Sequence, residues 1–139
     1  MRLLGLDVGT ATIGVAVSDP LGLTAQGVTT IRRQSREKDL AALEEIVRQY
    51  GVEAFVLGLP LLLNGDSDAA VDKVKHLAEQ LEERFGLPIY YQDERMTTVA
   101  AHRVLLEGDV SRRKRKQVVD KLAAVFILST YMENPNNPK

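Results

Sequence analysis

The sequence predicts an α/β fold: a mixed five-stranded sheet in spatial order 3-2-1-4-5, with helices on both faces. Three observations carry that expectation. Residues 1–32 divide into three β-rich stretches joined by short turns, the mark of an antiparallel meander. From residue 37 the apolar spacing changes to a helical period, and helical stretches then alternate with apolar strands. Strands joined by such crossovers run parallel, through right-handed connections. With 139 residues and 45% hydrophobic content, the chain has the size and composition of one domain.

Each element has its own warrant. Residues 3–8 (L-L-G-L-D-V) and 12–18 (T-I-G-V-A-V-S) are apolar and β-branched, with Gly9-Thr10-Ala11 as the turn between them. Asp19-Pro20 and Gly22 make the next turn, and residues 25–32 form a third strand that Gly27 interrupts. Leu40, Leu43, Val47 and Tyr50 recur at helical spacing over residues 37–50, and Gly51 ends that helix. Residues 54–59 (A-F-V-L-G-L) are a continuous apolar run, as in a strand covered on both faces. After a loop from Pro60 to Ser67, a helix over 68–85 carries Val71, Val74, Leu77, Leu81 and Phe85 on one face, closed by Gly86. Residues 88–91 (P-I-Y-Y) make the fifth strand. Thr97 or Thr98 caps a further helix through Leu106, stopped by Gly108. Residues 109–116 read as a polar, basic connection, and a last helix covers 116–132. This order is the ribonuclease-H-like arrangement, expected as a single domain over 1–132 with a frayed tail at 133–139.

Composition narrows the function classes. The absence of cysteine removes disulfides, thiolate metal sites and a cysteine nucleophile together. No stretch of 18 uncharged apolar residues is present to span a bilayer, and the start lacks the basic-then-apolar pattern of a signal peptide, so a cytoplasmic location is expected. The net charge of −1 is an average. Residues 37–94 carry 13 acids against 5 bases, and residues 95–121 carry 8 bases against 3 acids. An acidic middle and a basic segment suggest an anionic partner on one side of the molecule.

Ligands of open sheets collect outside the carboxyl ends of parallel strands, near the point where strand order reverses. Asp7 stands at the end of strand one, Gly58-Leu59-Pro60 at the end of strand four, and Asp93-Glu94 after strand five. Alternation puts Leu3, Gly5 and Asp7 on one face, and the small Gly5 and Gly9 around Asp7 suggest room for a ligand. A carboxylate inside a central strand needs a partner or a metal; turn N–H groups would also serve. Asp93 and Glu94 have an ordinary reading as solvated strand-end charges beside Arg95, and alternation lets only one of them face Asp7. Asp120 lies on the side of the last helix that also bears Ala123, Ala124, Ile127 and Tyr131, so it is expected against the fold, held by a metal or by Lys116 one turn earlier.

Taken together, several carboxylates without a His or Cys cluster suit a hard cation, Mg²⁺ or Mn²⁺. Two such ions can promote in-line hydrolysis of a phosphodiester. The run Arg112-Arg113-Lys114-Arg115-Lys116 adjoins Asp120 and could hold a nucleic-acid backbone; as a charge run it also reads as a solvated loop. Aromatics are only 5%, so phosphate contact is expected rather than base stacking. His76 and His102 fall on helices without metal-ligand spacing and read as surface or partly covered residues.

Four segments resemble the pre-16S rRNA nuclease family, also described as Holliday-junction-resolvase-like proteins of the ribonuclease-H-like superfamily: L-G-L-D-V-G-T-A-T-I-G-V-A-V-S-D at 4–19, V-L-G-L-P-L-L-L-N-G at 56–65, D-E-R-M-T-T at 93–98 and D-K-L-A-A-V-F-I-L at 120–128. The resemblance runs from Leu4 to about Tyr131. It implies metal-dependent cleavage of nucleic acid by acids corresponding to Asp7, the Asp93-Glu94 pair and Asp120, with Arg95 and the basic run toward the substrate. The loops at Gly9 and Thr10, and at Gly58, Pro60 and Asn64, would support the site. Two motifs depart from the family pattern. Ala11-Thr12 stands where Lys-Arg is usual, and Leu62-Leu63-Asn64 replaces Asn-Met-Asp.

Three functional classes follow. The first is a metal-dependent endonuclease, acting on the 5′ end of 16S rRNA precursor in ribosome biogenesis or on branched DNA, as a monomer or a homodimer. The second is an ATP-handling domain, because Asp7-Val8-Gly9-Thr10 before a strand resembles the first phosphate loop of actin-like and sugar-kinase-like ATPases. Those proteins close two such domains over the nucleotide, and a single one is expected here. The third is a non-catalytic nucleic-acid-binding protein.

Overall fold

The structure, a computed structural model, describes residues 1–60, 69–93 and 112–139, with the backbone alone over 112–119. Its elements are β1 (Leu3–Val8), β2 (Thr12–Ser18), β3 (Ala25–Arg32), α1 (Arg36–Tyr50), β4 (Ala54–Leu59), α2 (Ala69–Phe85), β5 (Ile89–Asp93) and α3 (Arg112–Glu133). The sheet order is β3-β2-β1-β4-β5. β1 runs antiparallel to β2 and parallel to β4, and β5 continues parallel to β4. The expected order and strand directions are those observed. The expected loop over 61–67 and the helix from Thr97 or Thr98 to Leu106 lie outside the described residues.

Strand alternation divides the interior into two layers. Leu4, Leu6, Ile13, Val15, Phe55 and Leu57 point to one face, where Leu40, Leu43 and Ile46 of α1 and Val74, Leu77 and Leu81 of α2 cover them. Leu3, Ala16, Ala54 and Val56 point to the other, against Ala124, Ile127, Leu128 and Tyr131 of α3. The helices of the first layer are also tied by charge. Arg84 of α2 donates to Glu37 at 2.9 Å and to Glu44 at 2.8 Å, both on α1. The hydrogen bond from Arg84 holds the Glu44 carboxyl below its ordinary range. At the ends of α1, the Ser35 side chain accepts from the Lys38 N–H and Gly51 turns left-handed at φ 64°.

α3 sits close to the sheet, because glycines of β1, β2 and β3 lie beneath it. A Cβ on Gly14 of β2 would come within 1.9 Å of the Asp120 carbonyl oxygen, and one on Gly5 of β1 within 2.8 Å of the Leu128 Cβ. On β3, the Lys121 stem covers Gly27. Gly27 therefore interrupts β3 only in propensity. The register shift there, between Ala16↔Gly27 and Val15↔Thr29, leaves Val28 as the extra residue of a bulge. The open space expected around Gly5 is filled by the helix.

One expectation at the C-terminal part needs correction. α3 begins at Arg112, not near 116, so the basic run is the start of the helix and not a connection before it. Arg and Lys are nearly as good helix formers as Ala, and no Gly or Pro intervenes. At the tail, two hydrogen bonds return to α3. The Tyr131 hydroxyl donates to the Pro138 carbonyl at 2.7 Å, and the Asn137 side-chain amide donates to the Tyr131 carbonyl at 3.0 Å. Among the described residues, no helix is long and apolar enough to cross a membrane.

The helix seat predicts a sharp contrast between glycines. Gly14→Ala should lose at least about 3 kcal/mol in urea denaturation, since helix backbone must move. Gly51→Ala, with open space around it, should lose about 1 kcal/mol from its left-handed backbone. Tyr131 supplies a pH test. Burial, then the neighbouring Tyr90, pushes its phenol up from 10 to about 12. A folded-state value above the unfolded one means that its contribution is complete below pH 10 and lost as pH rises through 12. Denaturation midpoints across pH 9–12 should fall more steeply for the wild type than for Tyr131→Phe.

Candidate active site

The site lies where β1 ends and β2 begins, under α3. Asp7 is the penultimate residue of β1 and shares the face of Leu3 and Gly5, so its side chain points toward α3. Its cross-strand partner is Gly14. The backbone of Asp120 rests on that same Gly14. One missing side chain thus brings two acids from residues 113 positions apart to the same end of the sheet. Both are half-buried. The Asp120 side of α3 is the covered one, as expected, with Ala123, Ala124, Ile127 and Tyr131 all buried.

Asp120 is held in place by Thr12. Alternation sets Thr12 on the α3 face, two residues before Gly14, and its hydroxyl donates to Asp120 Oδ2. In the sequence, Thr12 stands out only as a departure from a family motif. The available clue was its shared strand face with Gly14, but the height of α3 above that face could not be known. The expected alternative partner, Lys116, has no described side chain.

Asp93 is placed differently from Asp7. Leu59, its parallel partner, packs toward the α1–α2 layer, as do Ile89 and, beside α2, Tyr91. Tyr90 packs toward α3. By alternation Asp93 belongs to the α1–α2 face, opposite Asp7. Glu94 and Arg95 lie outside the described residues. Gly58 is buried in β4 beside Gln92, and Pro60 is half-buried just beyond that strand. Asn64 lies outside the described residues. Among the described residues, no three acids or histidines gather as a complete metal cluster. His76 is exposed on α2 next to Gln80, away from the sheet end, and His102 lies outside the described residues.

The turn after β1 is firmly built. The Gly9 N–H donates to the Thr12 carbonyl at 2.8 Å, and the Arg33 N–H donates to the Ala11 carbonyl at 2.8 Å. Arg33 Nη1 donates to the Gly9 carbonyl at 3.0 Å, while its Nε faces Asp39 at 3.4 Å. Asp39 itself is 5% exposed and also accepts from the Gln34 N–H at 3.0 Å. It is a structural acid, enclosed and paired. Asp7 and Asp120 keep partial access to solvent, as ligands of an incoming group require. Their donor set is all oxygen, with a hydroxyl fixing one carboxylate, which fits a hard divalent cation.

α3 also has a direction. Asp120 lies over the position opposite Asp7, and Leu128 lies by Gly5, nearer the start of β1. Its first eight residues, 112–119, therefore extend roughly 12 Å along the helix axis beyond Asp120. The helix thus starts its run with five consecutive basic residues beyond the acids, and no acid lies in that first turn.

Residues 1–134 match the RuvX family, described as Holliday junction resolvase. A protein of Moorella thermoacetica named "Putative pre-16S rRNA nuclease" is 58% identical over 133 residues, covering 96% of this chain and 95% of its own. A relative of the same name from Clostridium perfringens (strain SM101) is 56% identical, covering 96% and 97%. Among solved structures, Thermus thermophilus RuvC in complex with a Holliday junction substrate aligns with TM-score 0.57 at 16% identity, over 91% of each chain. Fowlpox virus resolvase with Holliday junction DNA aligns with TM-score 0.56 at 10% identity, over 96% of this chain and 97% of that one. These structural likenesses establish a shared ribonuclease-H-like fold. With a family match across residues 1–134 and relatives more than half identical over nearly their full length, this chain belongs to the RuvX family.

Proposed function

We propose that the protein is a metal-dependent endonuclease that hydrolyses phosphodiester bonds, with the 5′ end of 16S rRNA precursor as its substrate. The observation that carries the reading is the convergence of Asp7 and Asp120 at the end of β1, enforced by the seating of α3 on Gly14. The names of the relatives support the choice of RNA. Asp7 and Asp120 would hold Mg²⁺ or Mn²⁺, completed by an acid after β5. Because Asp93 belongs to the opposite face, Glu94 is the better candidate of that pair.

Bound divalent ions would supply charge stabilisation for the attacking and leaving oxygens of an in-line displacement. The chain does the positioning. Asp7 presents its carboxylate from a strand locked between β2 and β4, and so has little freedom to drift. Thr12 orients Asp120 by donating to one carboxylate oxygen, leaving the other for a ligand. The basic start of α3, projecting past the acids, offers a track for the nucleic-acid backbone, and Arg95 follows the β5 acids in sequence. Phosphate contacts of this kind place a strand without reading its bases. A cytoplasmic location suits this substrate.

The test offers purified protein, with Mg²⁺ or Mn²⁺, a labelled rRNA-precursor end and a four-way DNA junction. Cleavage of the RNA is expected, with loss of about a thousandfold, on the order of 4 kcal/mol, in Asp7→Asn and Asp120→Asn. Equal cleavage by wild type and Asp7→Asn would overturn the mechanism, and cleavage of the junction alone would replace the RNA substrate with branched DNA. For Thr12, a Mn²⁺ titration should show affinity weakened about 10- to 100-fold in Thr12→Val and near-normal in Thr12→Ser, which restores the donor. Equal affinities in the two variants would remove its orienting role.

A further inference from the structure

The β1–β2 turn receives a cation from the side of the sheet opposite α3. Lys73, the fifth residue of α2, is exposed and extends its ammonium to the Thr10 hydroxyl, with Nζ and Oγ1 3.4 Å apart. Thr10 is three residues after Asp7 and follows Gly9, whose carbonyl Arg33 holds. α2 belongs to the α1–α2 layer, so Lys73 reaches round the sheet end from the face away from Asp120. Two elements remote in sequence therefore send basic side chains to one three-residue turn.

The two bases have different duties. Arg33 is committed: its Nε faces the enclosed Asp39 carboxylate, and its Nη1 and backbone N–H fasten the turn. Lys73 is not committed. Among the described residues, no carboxylate lies within ion-pair distance of its ammonium, although four acids of α2, Asp72, Glu79, Glu82 and Glu83, are exposed on the same helix. A neutral hydroxyl is a weak partner for an ammonium. A phosphate oxygen is a strong one, because both groups are then charged.

We propose that Lys73 forms a phosphate subsite with the Thr10 turn, taking a backbone phosphate of the nucleic-acid strand on the side of Asp7 away from α3. The proposal rests on the nuclease reading and deepens it. The strand is held on both flanks of the acids, by the basic start of α3 on one side and by Lys73 on the other. Thr10 orients the ammonium, and Arg33 keeps the turn in place. A phosphodiester gripped on both flanks cannot swing away from the carboxylates, which is the entropic part of catalysis.

The experiment measures binding of a fluorescent single-stranded RNA carrying the precursor end, in the full chain with Asp7→Asn to prevent turnover, at a series of KCl concentrations. One phosphate contact contributes about 0.7 to the slope of log K against log salt for a single strand. Lys73→Ala should lower the slope by about that amount and weaken binding about fivefold at 0.1 M KCl, with no change in denaturation midpoint. Lys73→Arg should keep the slope. Returning a charge to the same exposed turn, in Lys73→Ala with Ala11→Lys, should restore it. Lys75→Ala is the control, since Lys75 faces the Tyr91 side of α2. An unchanged slope in Lys73→Ala, or an equal drop in Lys75→Ala, overturns the subsite and leaves the nuclease reading standing. Absence of salt-dependent RNA binding by the chain with Asp7→Asn alone overturns both.

Discussion

The contact between the backbone of α3 and the bare surface of β1 and β2 organises everything that has chemical interest in this fold. A helix normally packs on a sheet through two layers of side chains. Here Gly5 and Gly14 stand beneath the helix, so helix backbone approaches strand backbone directly at those two positions. Ala123 and Ala124 continue the same economy on the helix side, both fully buried. Close approach of this kind excludes water and fixes the helix in height and along its axis, because a shift by one residue would bring Lys121 onto Gly14 in place of Asp120. The backbone of Asp120 is therefore placed by packing, and the Thr12 hydroxyl then holds its carboxylate.

That packing has an electrostatic consequence. Two half-buried acids meet at a sheet end, in a segment where a helix also begins with five bases. Bases at a helix N-terminus oppose the helix dipole, and neighbouring ones repel each other. The arrangement is unfavourable for the isolated protein and favourable beside a polyanion, which screens the bases while cations screen the acids. Asp39 illustrates the alternative arrangement. It is enclosed, served by the Gln34 N–H and Arg33, and takes its place in the scaffold rather than in the chemistry.

The two layers of the core divide the work. The α1–α2 side is broad and made of Leu, Ile, Val and Phe interlocked across two helices and the sheet, with Phe55 and Phe85 at 5.5 Å between ring centroids. It holds the larger of the two clusters of buried apolar side chains. The α3 side is narrow and closed by the Tyr90–Tyr131 stack at 5.8 Å, with the tail latched over it. Stability and precision are thus assigned to opposite faces of one sheet. An edge turn fastened by Arg33 joins them at the site.

The amino-acid order alone determined the strand sequence, their directions, the sheet order and which face of each helix is covered, because these follow from local periodicity and the handedness of crossovers. Boundaries for β2, β3 and β4 agree to the residue, since turns rich in Gly, Pro and Asp mark their ends. It also singled out Asp7 and Asp120 as acids that need a partner where they stand. Tertiary structure decided how they are placed. The space around Gly5 belongs to a helix rather than a ligand, Thr12 holds Asp120 across 108 residues, and Asp93 falls to the far face through its pairing with Leu59. Lys73 at the β1–β2 turn is equally invisible in the order of residues. These are relations between elements remote in sequence, fixed by how closely backbones approach, and a local pattern contains no information about that distance.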